Sequence, residues 1–209
     1  MRRFLIADDH TVVRRGLKQI LLEAFPSALI EEVSDAEDLF KKVMREKWDV
    51  VISDISMPGR SGLEVLQQIR QDHPKLPVLI LSIYPEDQYA IRVLKAGASG
   101  YLTKDSAPEE LVKAINQLLL GKKYITSSLA EKLATILEQD TEQMPHEYLS
   151  DREFEVMKQL AAGKAVSEIA DKISLGVTTI STYRSRIMTK MNLKTNADLT
   201  LYAIEHKLL

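Results

Sequence analysis

The sequence predicts a two-domain chain, a five-stranded doubly wound parallel α/β domain followed by a smaller all-α domain. Three observations carry this. Five short apolar runs rich in Val, Ile and Leu alternate with amphipathic segments in the first part of the chain, as strands buried on both faces do when they alternate with covering helices. Thr126 to Met144 is then polar and acidic, with Glu131, Glu138, Asp140 and Glu142 against Lys132. Beyond it the pattern is helical throughout. A chain of 209 residues, 45% hydrophobic and 28% charged, can fill one full core and a second small one.

The strands are expected at Arg3–Ala7, Leu29–Val33, Val50–Ser53, Val78–Ser82 and Ser99–Leu102. Thr11–Phe25 is the first helix, with Val12, Val13, Leu17, Ile20, Leu21 and Leu22 on one broad stripe. Glu37–Lys47, Gly62–Asp72, Gln88–Ala96 and Pro108–Leu120 follow as helices. Pro108 suits a first turn, where its missing N–H costs nothing, and Gly121 marks the end. Residues 1–121 form the α/β domain and 122–147 a linker with one short helix near Ser128–Glu138. The all-α domain takes 148–209.

In that last part, Ser150-Asp151-Arg152-Glu153 reads as a capping box that opens a helix at Asp151–Ala162, ended by Gly163. Ser167–Ile173, a tight turn at Leu175-Gly176-Val177, and Thr178–Met191 follow. A short helix, a turn and a longer basic helix make a helix-turn-helix layout. A final helix, Asn196 to His206, presents Ala197, Leu201 and Ile204, with Leu208 beyond. These residues could all be core, but a surplus apolar stripe on a small helical domain points to a dimer.

Composition removes several function classes. The chain has no cysteine, so disulfides, thiolate metal sites and cysteine catalysis are excluded. No apolar run reaches the ~18 residues that span a bilayer, and the stretch from Phe4 to Ala7 is too short for a signal peptide. These features lead us to expect a cytoplasmic protein that is not a membrane partner. The formal net charge is −2, but its distribution matters more. Lys172 to Ala197 carries Lys172, Arg184, Arg186, Lys190 and Lys194 with no Asp or Glu. That suits a phosphate-contacting surface, although such a run also occurs on ordinary solvated helices.

In a parallel α/β sheet, ligands sit outside the carboxyl ends of the strands. Asp8 and Asp9 end the first strand, Asp54 the third and Ser82 the fourth, and Lys104 follows the fifth. One such residue alone would be an ordinary strand-end polar group. Their coincidence fits phosphoryl transfer. Clustered carboxylates need a cation among them, and a hard ion such as Mg²⁺ on Asp8, Asp9 and Asp54 supplies it. Asp54 would attack phosphorus, Lys104 would neutralise phosphoryl oxygens, and Ser82 would donate to the phosphoryl group.

Asp8-Asp9, Asp54-Ile55-Ser56-Met57-Pro58-Gly59, Ser82 and Gly100-Tyr101-Leu102-Thr103-Lys104 together resemble the receiver domain of two-component response regulators, which has a flavodoxin-like fold. The resemblance covers roughly residues 1–121. It implies that Asp54 accepts phosphate from a sensor histidine kinase. It also implies that Ser82 and Tyr101 form a switch pair and that the Ser56 carbonyl helps bind the metal. Ile83 stands where a small residue is frequent. Tyr84 and Ser56 flank the path of the attacking water, so a bulky Tyr84 is expected to shield the acyl phosphate.

Residues 148–209 resemble the LuxR-type helix-turn-helix of the NarL/FixJ class. The resemblance runs through Arg152-Glu153, Gly163, Glu168-Ile169-Ala170, Thr179-Ile180, Arg184 and Lys190-Met191. It implies that Thr178–Met191 enters the major groove of double-stranded promoter DNA, and that the chain is a homodimer when phosphorylated or on DNA. Ser181 and Ser185 stand where lysines often read bases, and serine cannot make the bidentate guanine contact. Base readout therefore falls to these serines with Thr182, Arg186 and DNA shape. Thr178, Thr179, Tyr183, Arg184 and Lys190 are expected on phosphates. For Arg184 a structural ion pair with Glu153 or Glu168 is the competing reading.

The leading expectation is thus a transcription regulator switched by phosphorylation of Asp54, with no enzymatic activity beyond phosphoryl transfer to, and hydrolysis from, that residue. In this expectation phosphate pulls Ser82 and Tyr101 inward. A regulator whose receiver merely docks partners is the alternative. An aspartyl-phosphate phosphatase is disfavoured, because such enzymes place an acid where this chain has Ser56.

Overall fold

The computed structural model describes residues 1–57, 62–106, 108–138 and 144–209, and the chain divides into two compact units, Met1–Gln139 and Asp140–Leu209. In the first unit, strands β1 (Arg3–Ala7), β2 (Leu29–Val33), β3 (Val50–Asp54), β4 (Val78–Ser82) and β5 (Gly100–Thr103) alternate with helices. These are α1 (Thr11–Ala24), α2 (Ala36–Arg45), α3 (Gly62–Asp72), α4 (Glu86–Lys95) and α5 (Pro108–Leu119). The strands pair in the order β2-β1-β3-β4-β5, and every pairing is parallel. Every residue of β3 and β4 is buried, which is why those strands read as unbroken apolar runs.

One face of the sheet shows how α1 is set. Leu17 and Leu21 pack into a cluster with Phe4, Ile6, Ile52 and Leu118, with Val13 and Ile20 at its margin. Val12 is instead 84% exposed and Leu22 is 38% exposed, which corrects the broad stripe expected from the sequence. At about 100° per residue, Val13, Leu17, Ile20 and Leu21 share one face, and Val12 and Leu22 fall on the far side of the helix.

α5 ends at a left-handed Gly121 (φ 72°), a conformation glycine adopts without strain. The chain then returns along β5, where Tyr124 N–H donates to the Ser99 carbonyl at 2.8 Å. A Cβ on Gly100 would lie 3.1 Å from Tyr124, so glycine permits this approach. Helix α6 (Ser127–Glu138) follows. It is the short helix expected in the linker, and it packs on α4 within the first unit. Leu129 is buried. Thr126 Oγ1 donates to the Glu86 carboxylate at 2.7 Å, and Lys132 Nζ donates to the Asp87 carbonyl at 2.8 Å.

The second unit opens with a one-turn 3₁₀ helix, Pro145–Tyr148, and continues with α7 (Asp151–Ala161), α8 (Val166–Lys172), α9 (Val177–Met191) and α10 (Asn196–Glu205). The capping box is formed: Ser150 accepts from the Glu153 N–H at 3.3 Å, and Glu153 accepts from the Ser150 N–H at 2.7 Å. Phe154, Met157, Leu160, Ile169, Ile180 and Ile187 make the core. On α10 the buried residues are Leu199 and Ala203, with Leu208 beyond. Leu201 and Ile204 are 58% and 60% exposed, and Ala197 is exposed beside them. The apolar stripe read from the sequence is therefore the outward face of the helix.

Candidate functional site

The strand order reverses between β1 and β3, so their carboxyl ends open a crevice at the switch point. Ala7 is registered against Ser53, which sets Asp8 and Asp54 side by side. Lys104 arrives from the far edge, its N–H donating to the Ser82 carbonyl at 2.8 Å. Its ammonium lies 2.7 Å from Asp8 Oδ2 and 2.8 Å from Asp54 Oδ2. Asp8 and Asp54 are 1% and 2% exposed, so this is a nearly dry cluster of two carboxylates held by one ammonium.

The two sides of this ion pair pull unequally. Burial pushes the Asp54 carboxyl above its ordinary range, more than Lys104 and the Ser56 N–H pull it down. Burial also works against the Lys104 charge, but the bonds to Asp54 and Asp8 outweigh it and hold the ammonium above the ordinary lysine range. The ammonium is the secure charge and Asp54 the strained one, because Lys104 faces two carboxylates from a more open position.

The crevice fits a hard divalent ion. Asp8 Oδ2 and Asp9 Oδ1 are buried oxygens without a hydrogen-bond donor in good geometry; they have only ionic contacts, to Lys104 and His10 respectively. Asp8, Asp9, His10 and Asp54 each offer a ligand atom, and these lie within 4.8 Å of one another. Ser56 donates its N–H to Asp54 Oδ1 at 3.1 Å. The Pro58-Gly59 part of the motif lies outside the described residues. Gly62 closes the loop after β3, since a Cβ there would sit 2.5 Å from the Asp54 carbonyl oxygen.

Ser82 is fully buried, and its Oγ accepts from the Tyr84 N–H at 3.2 Å. Tyr101 is also fully buried and donates its hydroxyl to the Tyr84 carbonyl at 2.7 Å. Burial, first of all, pushes that hydroxyl's pKa well above the usual tyrosine value, so it stays a donor. The Tyr101 ring is thus inward in this structure. The Tyr84 ring stacks on Tyr89 at 4.4 Å.

Sequence reasoning missed two residues here. His10 donates its N–H to Asp8 Oδ1 at 2.8 Å and sets Nδ1 2.6 Å from Asp9 Oδ1. Arg14 donates to the Asp8 carbonyl at 2.6 Å. The adjacency of His10 to Asp8-Asp9 was a usable signal. Arg14 carried none.

In the second unit, α8, a left-handed Ser174 (φ 54°) and α9 form the helix-turn-helix. Ile180, Ile187, Met188 and Met191 face the core. Thr178, Thr179, Ser181, Thr182, Ser185 and Arg186 are exposed, and Tyr183 and Arg184 are half-buried. Arg184 Nε donates to Asn196 Oδ1 at 2.9 Å, a different partner from the Glu153 or Glu168 pair considered from the sequence. Glu168 instead accepts from the Ala165 N–H at 2.7 Å. Glu153 accepts from Lys190 Nζ at 2.6 Å. Lys190, expected on DNA phosphate, also neutralises this buried carboxylate on α7 while remaining exposed. Burial, followed by the nearby Lys164, lowers the Lys172 pKa.

Residues 4–116 match the family model for the response regulator receiver domain. Residues 147–203 match that for bacterial regulatory proteins of the luxR family. The response regulator UvrY of Escherichia coli K12 is 35% identical over 209 residues, spanning 100% of this chain and 96% of that protein. The response regulator GacA of Pseudomonas aeruginosa is 33% identical over 207 residues, spanning 99% and 97%. Among solved structures, RcsB from Salmonella enterica serovar Typhimurium, bound to promoter P1flhDC in the presence of phosphomimetic BeF3-, superposes with a TM-score of 0.65. It is 28% identical and covers 96% of this chain and 97% of its own. The buried acid cluster at the switch point of one unit and the helix-turn-helix of the other therefore have a shared lineage: the chain belongs to the NarL/FixJ-type response regulators, a receiver domain joined to a LuxR-type helix-turn-helix.

Proposed function

We propose that Asp54 accepts a phosphoryl group from the phosphohistidine of a sensor kinase and that this switches promoter binding by the helical domain. The observation that carries this is the Lys104 ammonium bridging Asp8 and Asp54 in a nearly dry crevice. Asp54 Oδ attacks phosphorus, the N–P bond of phosphohistidine breaks, and the imidazole leaves. The charge is then spread over phosphoryl oxygens. Lys104 can move from the carboxylates to those oxygens, since its ammonium already lies 2.8 Å from Asp54 Oδ2. Asp8, Asp9, Asp54 and the Ser56 carbonyl would hold Mg²⁺, which when bound supplies positive charge to the developing phosphoryl oxygens.

Ser82 reports the product. Its hydroxyl, which accepts from Tyr84 N–H, would turn to donate to the phosphoryl group. The segment Ile83–Glu86 is then free to shift, carrying the Tyr101–Tyr84 bond with it. Because α6 grips Glu86 and Asp87 at the start of α4, the shift reaches the linker.

In the helical domain, Arg186 with Ser181, Thr182 and Ser185 faces the base edges, and Thr178, Thr179, Tyr183 and Arg184 face phosphates. Lys190 serves by fixing α9 to α7. The exposed stripe of Ala197, Leu201 and Ile204 supports a homodimer on paired half-sites. This chemistry suits a cytoplasmic regulator. Binding of the full chain to a duplex selected from a randomised pool tests it, with and without acetyl phosphate and Mg²⁺. Affinity should rise on phosphorylation in the wild type and not in Asp54→Asn. Equal affinity in both states refutes the switch.

A further inference from the structure

We propose that Arg14 is a positioning residue for phosphoryl transfer: by holding the Asp8 carbonyl it aims the Asp8 and Asp9 carboxylates into the crevice. This rests on the reading that Asp8, Asp9 and Asp54 hold Mg²⁺. Asp8 to His10 form the short turn between β1 and α1, and α1 opens at His10 without a side-chain capping bond. The turn is fastened at Asp8 instead. The Asp8 N–H donates to the Val33 carbonyl of β2 at 3.2 Å. The Asp8 carbonyl accepts from the Arg14 guanidinium at 2.6 Å, a short, charge-assisted bond. That carbonyl belongs to the planar peptide joining Asp8 to Asp9. Pinning its oxygen therefore constrains ψ of Asp8 and φ of Asp9 together, and those angles decide how the two side chains point relative to each other.

Arg14 is itself held in place. Its backbone N–H donates to the His10 carbonyl at 3.1 Å. Its guanidinium donates to Thr11 Oγ1 at 3.3 Å and lies 3.6 Å from Glu32 Oε2 on β2. Only 14% of the side chain is exposed. The guanidinium thus ties α1, the turn and β2 to one another, a task that suits a rigid fork of donors better than a single ammonium.

The charge and the bond of Arg14 act with opposite signs on a divalent ion. The charge repels an ion bound by the neighbouring acids. The bond favours it by arranging the ligands in advance. Groups that orient metal ligands contribute about 10–100-fold in affinity or activity, so positioning should outweigh the repulsion.

Isothermal titration calorimetry of the full chain with Mg²⁺ separates the two effects. Arg14→Met keeps the aliphatic stem and should weaken Mg²⁺ binding about tenfold, whereas loss of the charge alone would tighten it. Phosphorylation by acetyl phosphate should need correspondingly more Mg²⁺ and regain the wild-type rate at saturation, since Arg14 touches no reacting atom. Lys18→Met removes another cation from Glu32, which it meets at 2.8 Å, and should leave Mg²⁺ affinity unchanged. If Arg14→Met does not fold, Glu32→Gln loosens Arg14 from behind and should weaken Mg²⁺ binding by a smaller factor. Unchanged or tighter binding in the folded variant used, an equal loss in Lys18→Met, or a rate that stays low at saturating Mg²⁺ overturns the role of Arg14 alone. A wild type that binds no Mg²⁺ overturns the metal site itself.

Discussion

Replacing Lys104 with Met should turn the crevice from an ion pair into two facing buried carboxylates. Met retains most of the stem's volume, so the change isolates the ammonium. The lost charge touches Asp8 at 2.7 Å and Asp54 at 2.8 Å, and both acids are almost wholly buried. Stripping a buried charge of its partner costs about 3–5 kcal/mol. The protein can escape by protonating one carboxylate. From an ordinary value near 4, at about 1.4 kcal/mol per unit, that escape costs about 4 kcal/mol at pH 7. Asp54 is already pushed up by burial, so we expect a loss of about 3 kcal/mol.

The pH dependence follows from linkage. Folded Lys104→Met holds a proton that the unfolded chain releases, so its stability falls as pH rises through the carboxylate range towards neutrality. The deficit against wild type should be small near pH 4 and full near pH 7. Urea unfolding followed by Trp48 fluorescence measures it, because Trp48 is the only tryptophan and is buried in the first unit. Millimolar Mg²⁺ should shrink the deficit by replacing the missing charge. A deficit under about 1 kcal/mol at pH 7, or one equal at pH 5 and pH 7, would refute the reasoning.

Tyr84→Ala should shorten the lifetime of phospho-Asp54, since the ring stacked on Tyr89 would no longer screen the acyl phosphate from water; decay of the phosphorylated chain on phosphate-affinity gels reads this, and an unchanged lifetime sinks it. Arg186→Ala should weaken binding to the preferred duplex by about 1–3 kcal/mol and relax preference at one base pair, whereas a uniform loss over all duplexes would mark Arg186 as a phosphate contact. Lys190→Met should destabilise the second unit by about 1 kcal/mol at neutral pH, as the Lys190 partner Glu153 is buried but the lysine is half open. Burial works against the Glu153 charge, but Lys190 and Ser150 outweigh it and hold the Glu153 pKa low. That stability is present above the ordinary glutamate range and is lost as pH falls through the lowered value, so the effect of Lys190→Met on thermal unfolding should fade in acid.

The parallel sheet was legible because both its signals are periodic. Strands buried on two faces read as unbroken apolar runs, and the helices between them repeat at their own spacing. Asp8, Asp54, Ser82 and Lys104 were legible because strand ends in such a sheet share one edge. What escaped depends on contacts that periodicity does not encode. Lys190 and Glu153 are far apart in sequence, and nothing in either segment announces the bond between α9 and α7. The docking of α6 depends on Thr126 meeting Glu86 and on the burial of Leu129. Tyr124 joins the sheet through one pairing with Gly100, too short for a strand pattern. On α10 the apolar residues occupy two faces, so the sequence showed that a stripe exists but not which stripe faces the core. Leu199 and Ala203 won it, and Leu201 and Ile204 were left to solvent.

The central claim concerns one carboxylate. Intact mass measurement of the full chain after incubation with acetyl phosphate and Mg²⁺ tests it most directly. We expect the wild type to gain a single phosphoryl group, with the modified peptide containing Asp54, and Asp54→Asn to gain none. A wild type that stays unmodified while retaining bound Mg²⁺, or an Asp54→Asn chain that is modified to the same extent, would contradict the assignment of Asp54 as the phosphoacceptor.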